Sequence, residues 1–326
     1  MVVPLPFLSG FIYRQLLLTP PQPTTRFDGQ TIIITGATSG LGFEAARLFA
    51  RLGAAHIILG ARNVTQGEAA ARAVAQAASS KEALRVDVWE LDLEKYASVR
   101  EFAARVDGLE RVDVVCQNAG MATGRFCLAE KDESTVTVNV VCAVLLTLLV
   151  LPKLKESAAR FGIHPVVTFS CSEIHHFYEF TQRNEPQILA TLSDKSKASM
   201  LDRYFVSKLL QLLCVRELAS RAGPAYPVAI NCFNPGFVQT RLGREFGWNL
   251  YLWGVVFARS ARVGSRTLVA AAGAGAESHG KYMSEGEVAE PSEWVRSEEG
   301  KRVQRRVWEE VVERVEGIVP GVSGNI

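Results

Sequence analysis

The chain has 326 residues, 48% of them hydrophobic and 21% charged, with a formal net charge of +2. That length suits one large α/β domain or two small ones and can bury a sizeable core. The near balance of charge leaves no global field to attract nucleic acid, and no nucleic-acid partner is expected. Six cysteines, at 116, 127, 142, 171, 214 and 232, form no CxxC pair. They read as small buried hydrophobes of a reducing, cytoplasmic compartment, with no metal and no disulfide assigned.

Met1 to Leu18 is apolar but interrupted by Pro4, Pro6, Gly10 and Arg14. It is too short and broken for a transmembrane helix and lacks the marks of a signal peptide. Pro20, Pro21 and Pro23 then stop any helix. Residues 1–27 read as an arm packed on the domain, with a peripheral membrane contact as the rival.

Thr31 to Thr35 is a β-branched run suited to a strand buried on both faces. Gly36, Gly40 and Gly42 follow, and Phe43 to Leu52 reads as a helix with apolar positions at 45, 48, 49 and 52. A strand, a glycine turn and a helix are the context of a dinucleotide site. Gly36 permits the tight turn. Gly40 lets backbone N–H groups approach a pyrophosphate, and Gly42 lets the helix lie close to the strand. Thr38, Ser39 and Leu41 complete this candidate loop.

Ala55 to Gly60 reads as a second strand, with Arg62 beyond it. An NAD-selective site would place an acid there, about twenty residues past the glycines, to bond the ribose 2′-hydroxyl. A guanidinium suits a 2′-phosphate instead, so NADP(H) is the expected cofactor. A solvated surface arginine is the alternative. Thr65 to Ala78 reads as a helix and Arg85 to Leu91 as a third strand, ending at Asp92. Asp92 could bond the adenine amino group, or cap the next helix, Ser98 to Val106. Val112 to Cys116 leads into Asn118, Ala119 and Gly120, small residues that leave room for a nicotinamide ribose.

Ser134 to Leu151 is a long apolar helix in which Asn139 is conspicuous, because a mid-helix Asn is unfavourable by propensity. Pro165 to Ser170 is a fifth strand, and Ser172, His175 and His176 follow it. The paired histidines read as loop residues, and Glu179 to Ser199 as polar and irregular. Tyr204 and Lys208 open a helix to about Arg221 and share one face. Val228 to Phe233 is a sixth strand, closed by Pro235, Gly236, Val238 and Thr240. Phe246 to Phe257 is dense in aromatics. It reads either as contact area for a lipophilic small-molecule substrate or as core, dimer or membrane surface. Helices Ser260 to Ala272 and Ser297 to Val315 flank a short strand at 280–283. The alternation implies one doubly wound α/β Rossmann fold, a mostly parallel sheet of about seven strands flanked by helices.

In this order the motifs resemble the short-chain dehydrogenase/reductase family over roughly residues 28 to 316, and within it the retinol-dehydrogenase-like group and its fungal relatives. The resemblance implies a cofactor loop at Thr35 to Gly42 and an adenine contact at Asp92. It also implies a ribose motif at Asn118 to Gly120 and a carboxamide-binding segment from Pro235 to Thr240. Asn139, Ser172, Tyr204 and Lys208 match the catalytic tetrad. Tyr204 would be the acid/base, its phenol lowered by Lys208 and the oxidised nicotinamide. Ser172 would bond the substrate oxygen, Lys208 the ribose, and Asn139 would hold a relay water. Cys171 departs from the family pattern, which has serine there, and Ser170 is the fallback for Ser172. The implied activity is NADP(H)-dependent hydride transfer to or from a lipophilic carbonyl or alcohol. A cofactor-binding regulator without turnover is the alternative.

Overall fold

The protein is described as a computed structural model, covering residues 10, 13–15, 18–79, 84–239 and 258–326. Strands β1 (Thr31–Thr35), β2 (His56–Ala61), β3 (Arg85–Glu90) and β4 (Val114–Gln117) come first. A two-residue hairpin, β5 (Leu128–Ala129) and β6 (Asp132–Glu133), lies outside the main sheet. β7 (Val166–Ser170), β8 (Ala229–Asn234), β9 (Tyr282–Ser284) and β10 (Glu287–Ala289) complete the series. The main sheet has eight strands in the order β10-β9-β8-β7-β4-β1-β2-β3. All neighbours are parallel except β10 on β9. Strand order reverses between β1 and β4, which opens a crevice at their carboxyl ends.

The period of two along β1 divides the core. Ile33 faces the layer of α3 (Tyr96–Asp107), α4 (Cys142–Phe161) and α6 (Arg203–Ala222). Ile32 and Ile34 face α1 (Gly40–Arg51), α2 (Val64–Ala75) and α7 (Ala261–Ala272). Both faces are covered, so the strand shows no polar alternation. The last long helix, α8 (Glu298–Glu316), starts at Ser297, whose hydroxyl accepts from Gly300 N at 3.1 Å. It lays Val303, Val307, Trp308, Val311 and Val315 against the α6 layer.

The expected sheet of about seven strands has eight, the short edge strand β10 following a turn in which Glu285 (φ 57°) and Gly286 (φ 92°) are left-handed. The structure departs from the sequence reading in two places. The helix expected to end at Leu151 runs to Phe161 with Pro152 inside it, and ends only at Gly162 (φ 61°). The stretch expected to be irregular contains α5 (Ile188–Leu192). Its first N–H groups, of Ile188 and Leu189, donate to the Glu310 carboxylate of α8 at 2.9 and 2.7 Å. That cap comes from the far end of the chain, so no local signal announces the helix.

One helical stretch among the described residues, Ser134–Phe161, is long and apolar enough to cross a membrane. Its most apolar window is 94% buried inside the fold, which makes it a core helix.

Candidate active site

The glycine turn links the carboxyl end of β1 to α1. Gly36 and Gly40 are left-handed, with φ of 67° and 61°, where any other residue would be strained. A Cβ on Gly42 would stand 2.5 Å from Asn118 Nδ2 and 2.8 Å from Gly36 O. The turn is braced from β4. Asn118 Nδ2 donates to Thr35 O at 2.9 Å and Gly36 O at 3.3 Å. The buried Thr35 hydroxyl accepts from Asn118 N and Ala119 N at 3.0 and 2.9 Å, and donates to Cys116 O at 3.3 Å. Asn118 and Ala119 therefore shape the loop, and Thr35, which the sequence reading gave only as the first residue of the loop, is its hinge pin.

These residues fit a dinucleotide. The helix after the turn is 12 residues long, with no acid in its first turn. Ser39 sits at its N-cap in extended backbone, and its side chain makes no capping bond. Unspent helix N–H groups beside glycines suit a pyrophosphate. Leu41 is buried, and Gly264 of α7 brings Val238 and Leu41 together, since a Cβ there would lie 2.6 and 3.1 Å from their side chains. Thr38 is half-buried within the loop.

Arg62 follows β2 with its side chain 69% exposed, paired to Glu94 Oε2 at 3.0 Å. Asp92 accepts from Glu94 N at 3.1 Å and meets Lys95 Nζ at 3.2 Å. It closes the turn before α3 and does not cap that helix, whose N-cap is Lys95.

Asn139, Tyr204 and Lys208 lie near one another at the carboxyl ends of β4 and β7. Asn139 is fully buried in a π-helical turn, Thr137–Val141, that interrupts the start of the core helix. Its side chain is occupied: Oδ1 accepts from Met121 N at 2.8 Å, and Nδ2 donates to Met121 O and Ser207 Oγ, both at 2.9 Å. Asn139 thus ties the loop after β4 to α6 one residue ahead of Lys208. Lys208 is 4% exposed, and its Nζ donates to Ser170 O at 2.6 Å and Gln211 Oε1 at 3.0 Å. A Cβ on Gly120 would stand 3.6 Å from that ammonium and 3.4 Å from Asn139 Oδ1.

Burial pulls the Lys208 ammonium down to about 8. Burial pushes the Tyr204 phenol above its usual value. The lowering implied by the resemblance is absent from the chain alone: desolvation and the nearby Cys171 both raise the phenol, and Lys208 stands 5.9 Å from the ring centroid. Ser170 ends β7, is buried, and lends its carbonyl to Lys208. Ser172 is half-buried, and its hydroxyl accepts from Ile174 N at 3.4 Å.

Pro235 and Gly236 close β8. A Cβ on Gly236, which has φ 75°, would meet Gln15 Oε1 and Arg259 NH1 at 2.8 and 2.9 Å. The arm is anchored here. Gln15 Nε2 donates to Phe237 O at 3.0 Å, and Arg14 pairs with Glu173 at 2.8 Å, the residue after Ser172. Arg259 donates to Arg14 O and Leu18 O and pairs with Glu285 at 2.7 Å. Thr240 and the aromatic stretch from Phe246 to Phe257 lie outside the described residues.

Five of the six cysteines are buried, and Cys127 is exposed. His175, read as a loop residue, is buried in a single 3-10 turn, Glu173–His176.

Residues 30–163 match the family model for short chain dehydrogenases. A short chain dehydrogenase/reductase of Cryptosporiopsis sp. is 45% identical over 97% of this chain and 99% of its own. A short-chain dehydrogenase of Penicillium roqueforti is 39% identical over 96% of this chain and 84% of its own. The solved structure of an uncharacterized Mycobacterium paratuberculosis protein superposes with a TM-score of 0.67. It is 27% identical and covers 90% of this chain and 96% of its own. None of these relatives is named for the retinol-dehydrogenase-like group. With its sheet order, its glycine turn and relatives matched end to end, the chain belongs to the short-chain dehydrogenase/reductase family, oxidoreductases that bind nicotinamide cofactors.

Proposed function

We propose that the protein is an NADP(H)-dependent oxidoreductase acting on a lipophilic carbonyl or alcohol, with Tyr204 as the acid/base. The observation that carries this is the buried Lys208 ammonium, fixed by two acceptors beside Gly120 and one helical turn from Tyr204. The bound cofactor supplies or accepts the hydride. In reduction, hydride adds to the carbonyl carbon and the Tyr204 hydroxyl gives its proton to the oxygen, so one carbonyl becomes one alcohol. Tyr204 carries its proton at neutral pH, as a donor must, but burial alone makes it a weaker acid. Ser172 hydrogen-bonds the substrate oxygen. Lys208 bonds the nicotinamide ribose and favours the phenolate left behind.

Pro235, Gly236 and Val238 border the carboxamide, and Arg62 takes the 2′-phosphate. The lipophilic substrate class rests on the aromatic run Phe246, Trp248, Tyr251, Trp253 and Phe257.

The test follows NADPH absorbance with apolar ketones and aldehydes graded by size. Tyr204→Phe should bind NADPH within a few-fold of the parent and lose at least about 100-fold in turnover. Near-normal turnover in that variant would reassign the proton donor. NADPH binding with no turnover across the panel would make the chain a cofactor-binding regulator.

A further inference from the structure

We infer that Gln211 is a positioning residue for Lys208, its side-chain carbonyl oxygen fixing the ammonium in the orientation that serves cofactor and tyrosine. This rests on the proposed function. Gln211 stands in Leu209-Leu210-Gln211-Leu212-Leu213 and is as buried as those leucines, at 1% exposure. An amide among leucines costs free energy unless it is bonded. Oε1 is the atom that is bonded: it takes the Lys208 ammonium at 3.0 Å and lies 3.9 Å from Cys171 Sγ. Nε2 has no hydrogen-bond partner among the described residues. Swapping the amide ends would face an NH2 group to an ammonium, so the charge fixes the orientation.

An ammonium has three N–H bonds. Ser170 O and Gln211 Oε1 take two of them from the β7 side and from one turn further along α6. The third is left for the crevice, where a Cβ on Gly120 would stand 3.6 Å away. Without Oε1 the ammonium can rotate, and it loses an acceptor that favours its charged form in a desolvated site. Among the described residues, the titratable groups that face it are few. Tyr204 comes from its own helix and Cys171 from the turn after β7. The β4 loop and the π-turn bring only the Gly120 backbone and the Asn139 amide. Glu217 and Arg216 lie further along α6 and bond to Gln304 of α8.

The experiment titrates the full chain with NADPH, and with NADH in parallel, by cofactor fluorescence from about pH 6.5 to about pH 9.5. Affinity should fall as pH rises through the Lys208 midpoint near 8. Gln211→Leu should move that midpoint down by about one unit, and Gln211→Glu, which sets a carboxylate beside the ammonium, should move it up by a similar amount. The basic limb of kcat/KM for any ketone the parent reduces should move in the same two directions. If Gln211→Leu does not fold, Gln211→Met and Gln211→Glu carry the test. Midpoints that stay together in all variants, or move the same way in Leu and Glu, overturn the inference. Lys208→Ala is the control: if it binds cofactor like the parent and Tyr204→Phe still turns over, the functional reading itself fails, whatever Gln211 does.

Discussion

The two ends of the crevice are built by different means. The cofactor end, from β1 to β4, is made of backbone: left-handed glycines, a helix N-terminus, and one threonine and one asparagine that bond main-chain groups. The end proposed for the substrate, beyond β7 and β8, is made of long side chains. Arg14, Glu173, Arg259 and Glu285 tie the N-terminal arm to two loops. A site that must accept one common dinucleotide can be rigid and assembled from main chain. A site that distinguishes substrates can be varied by side chains without disturbing the sheet.

The sharpest way to break this contrast is to remove its central cation. Arg259 is 7% exposed and holds two carbonyls of the arm as well as Glu285. Burial raises Glu285 above its usual value while Arg259 opposes the rise. Arg259→Ala should cost about 3–5 kcal/mol in urea unfolding and speed proteolysis of the arm. The pair Arg259→Met with Glu285→Gln should recover much of that loss. A single variant as stable as the parent would mean that the arm is not held by this clasp.

The same contrast explains what the sequence disclosed. The glycine turn, Tyr204 and Lys208 were legible because each signal is local, a few residues on one turn or one helical face. Thr35 was read as the start of the loop, but its bracing role was not, because its partners stand 81 to 84 residues away. The clasp was illegible for the same reason, with Arg259 bonding residues 245 and 241 positions distant. Gln211 was within reach: a single amide in a leucine run, three residues past Lys208, is a local anomaly of the kind Asn139 presented. Asn139 itself was noticed, but its bonds to Met121 and Ser207 need the folded chain.

At the cofactor end the matching experiment is a single methyl group. Gly42→Ala places a Cβ where Asn118 Nδ2 and Gly36 O already lie, at 2.5 and 2.8 Å. The turn must shift, at a cost of about 1–3 kcal/mol, and calorimetry should show it chiefly as weaker NADPH binding. Loss of thermal stability with unchanged affinity would show that the close approach serves packing only.

Acid should act on the fold beyond β7. His175 is buried, its Nδ1 accepts from Ser292 N at 3.2 Å, and its ring stands edge-on to Tyr282 at 4.9 Å. Desolvation holds it well below its usual 6.5. The folded chain keeps it neutral while the unfolded chain binds a proton once pH drops below that value. Its contribution is therefore complete above pH 6.5 and is lost as pH falls, by about 1.4 kcal/mol per unit for one proton. His175→Asn keeps an acceptor for Ser292 and should flatten the fall in Tm between about pH 6.5 and about pH 5. An unchanged slope would move the acid sensitivity elsewhere.

The smallest effect is expected at Arg62, the one candidate cofactor contact built from a long, exposed side chain. A charge-assisted bond to a 2′-phosphate is worth about 1.5–3 kcal/mol. Arg62 already pairs with Glu94 at 3.0 Å. An exposed pair of that kind is worth about 0–1 kcal/mol, so breaking it to reach the phosphate costs little, and water takes a further share. The net preference should be about 1 kcal/mol, a factor of roughly five to ten in Kd. Arg62→Ala should weaken NADPH by that factor and leave NADH unchanged. Glu94→Ala releases the guanidinium and should tighten NADPH by a few-fold, again without effect on NADH. Opposite movements in the two variants, confined to the phosphorylated cofactor and shrinking with added salt, identify Arg62 as the 2′-phosphate contact. Equal losses for both cofactors would return Arg62 to the role its ion pair already shows, a solvated brace between the ends of β2 and β3.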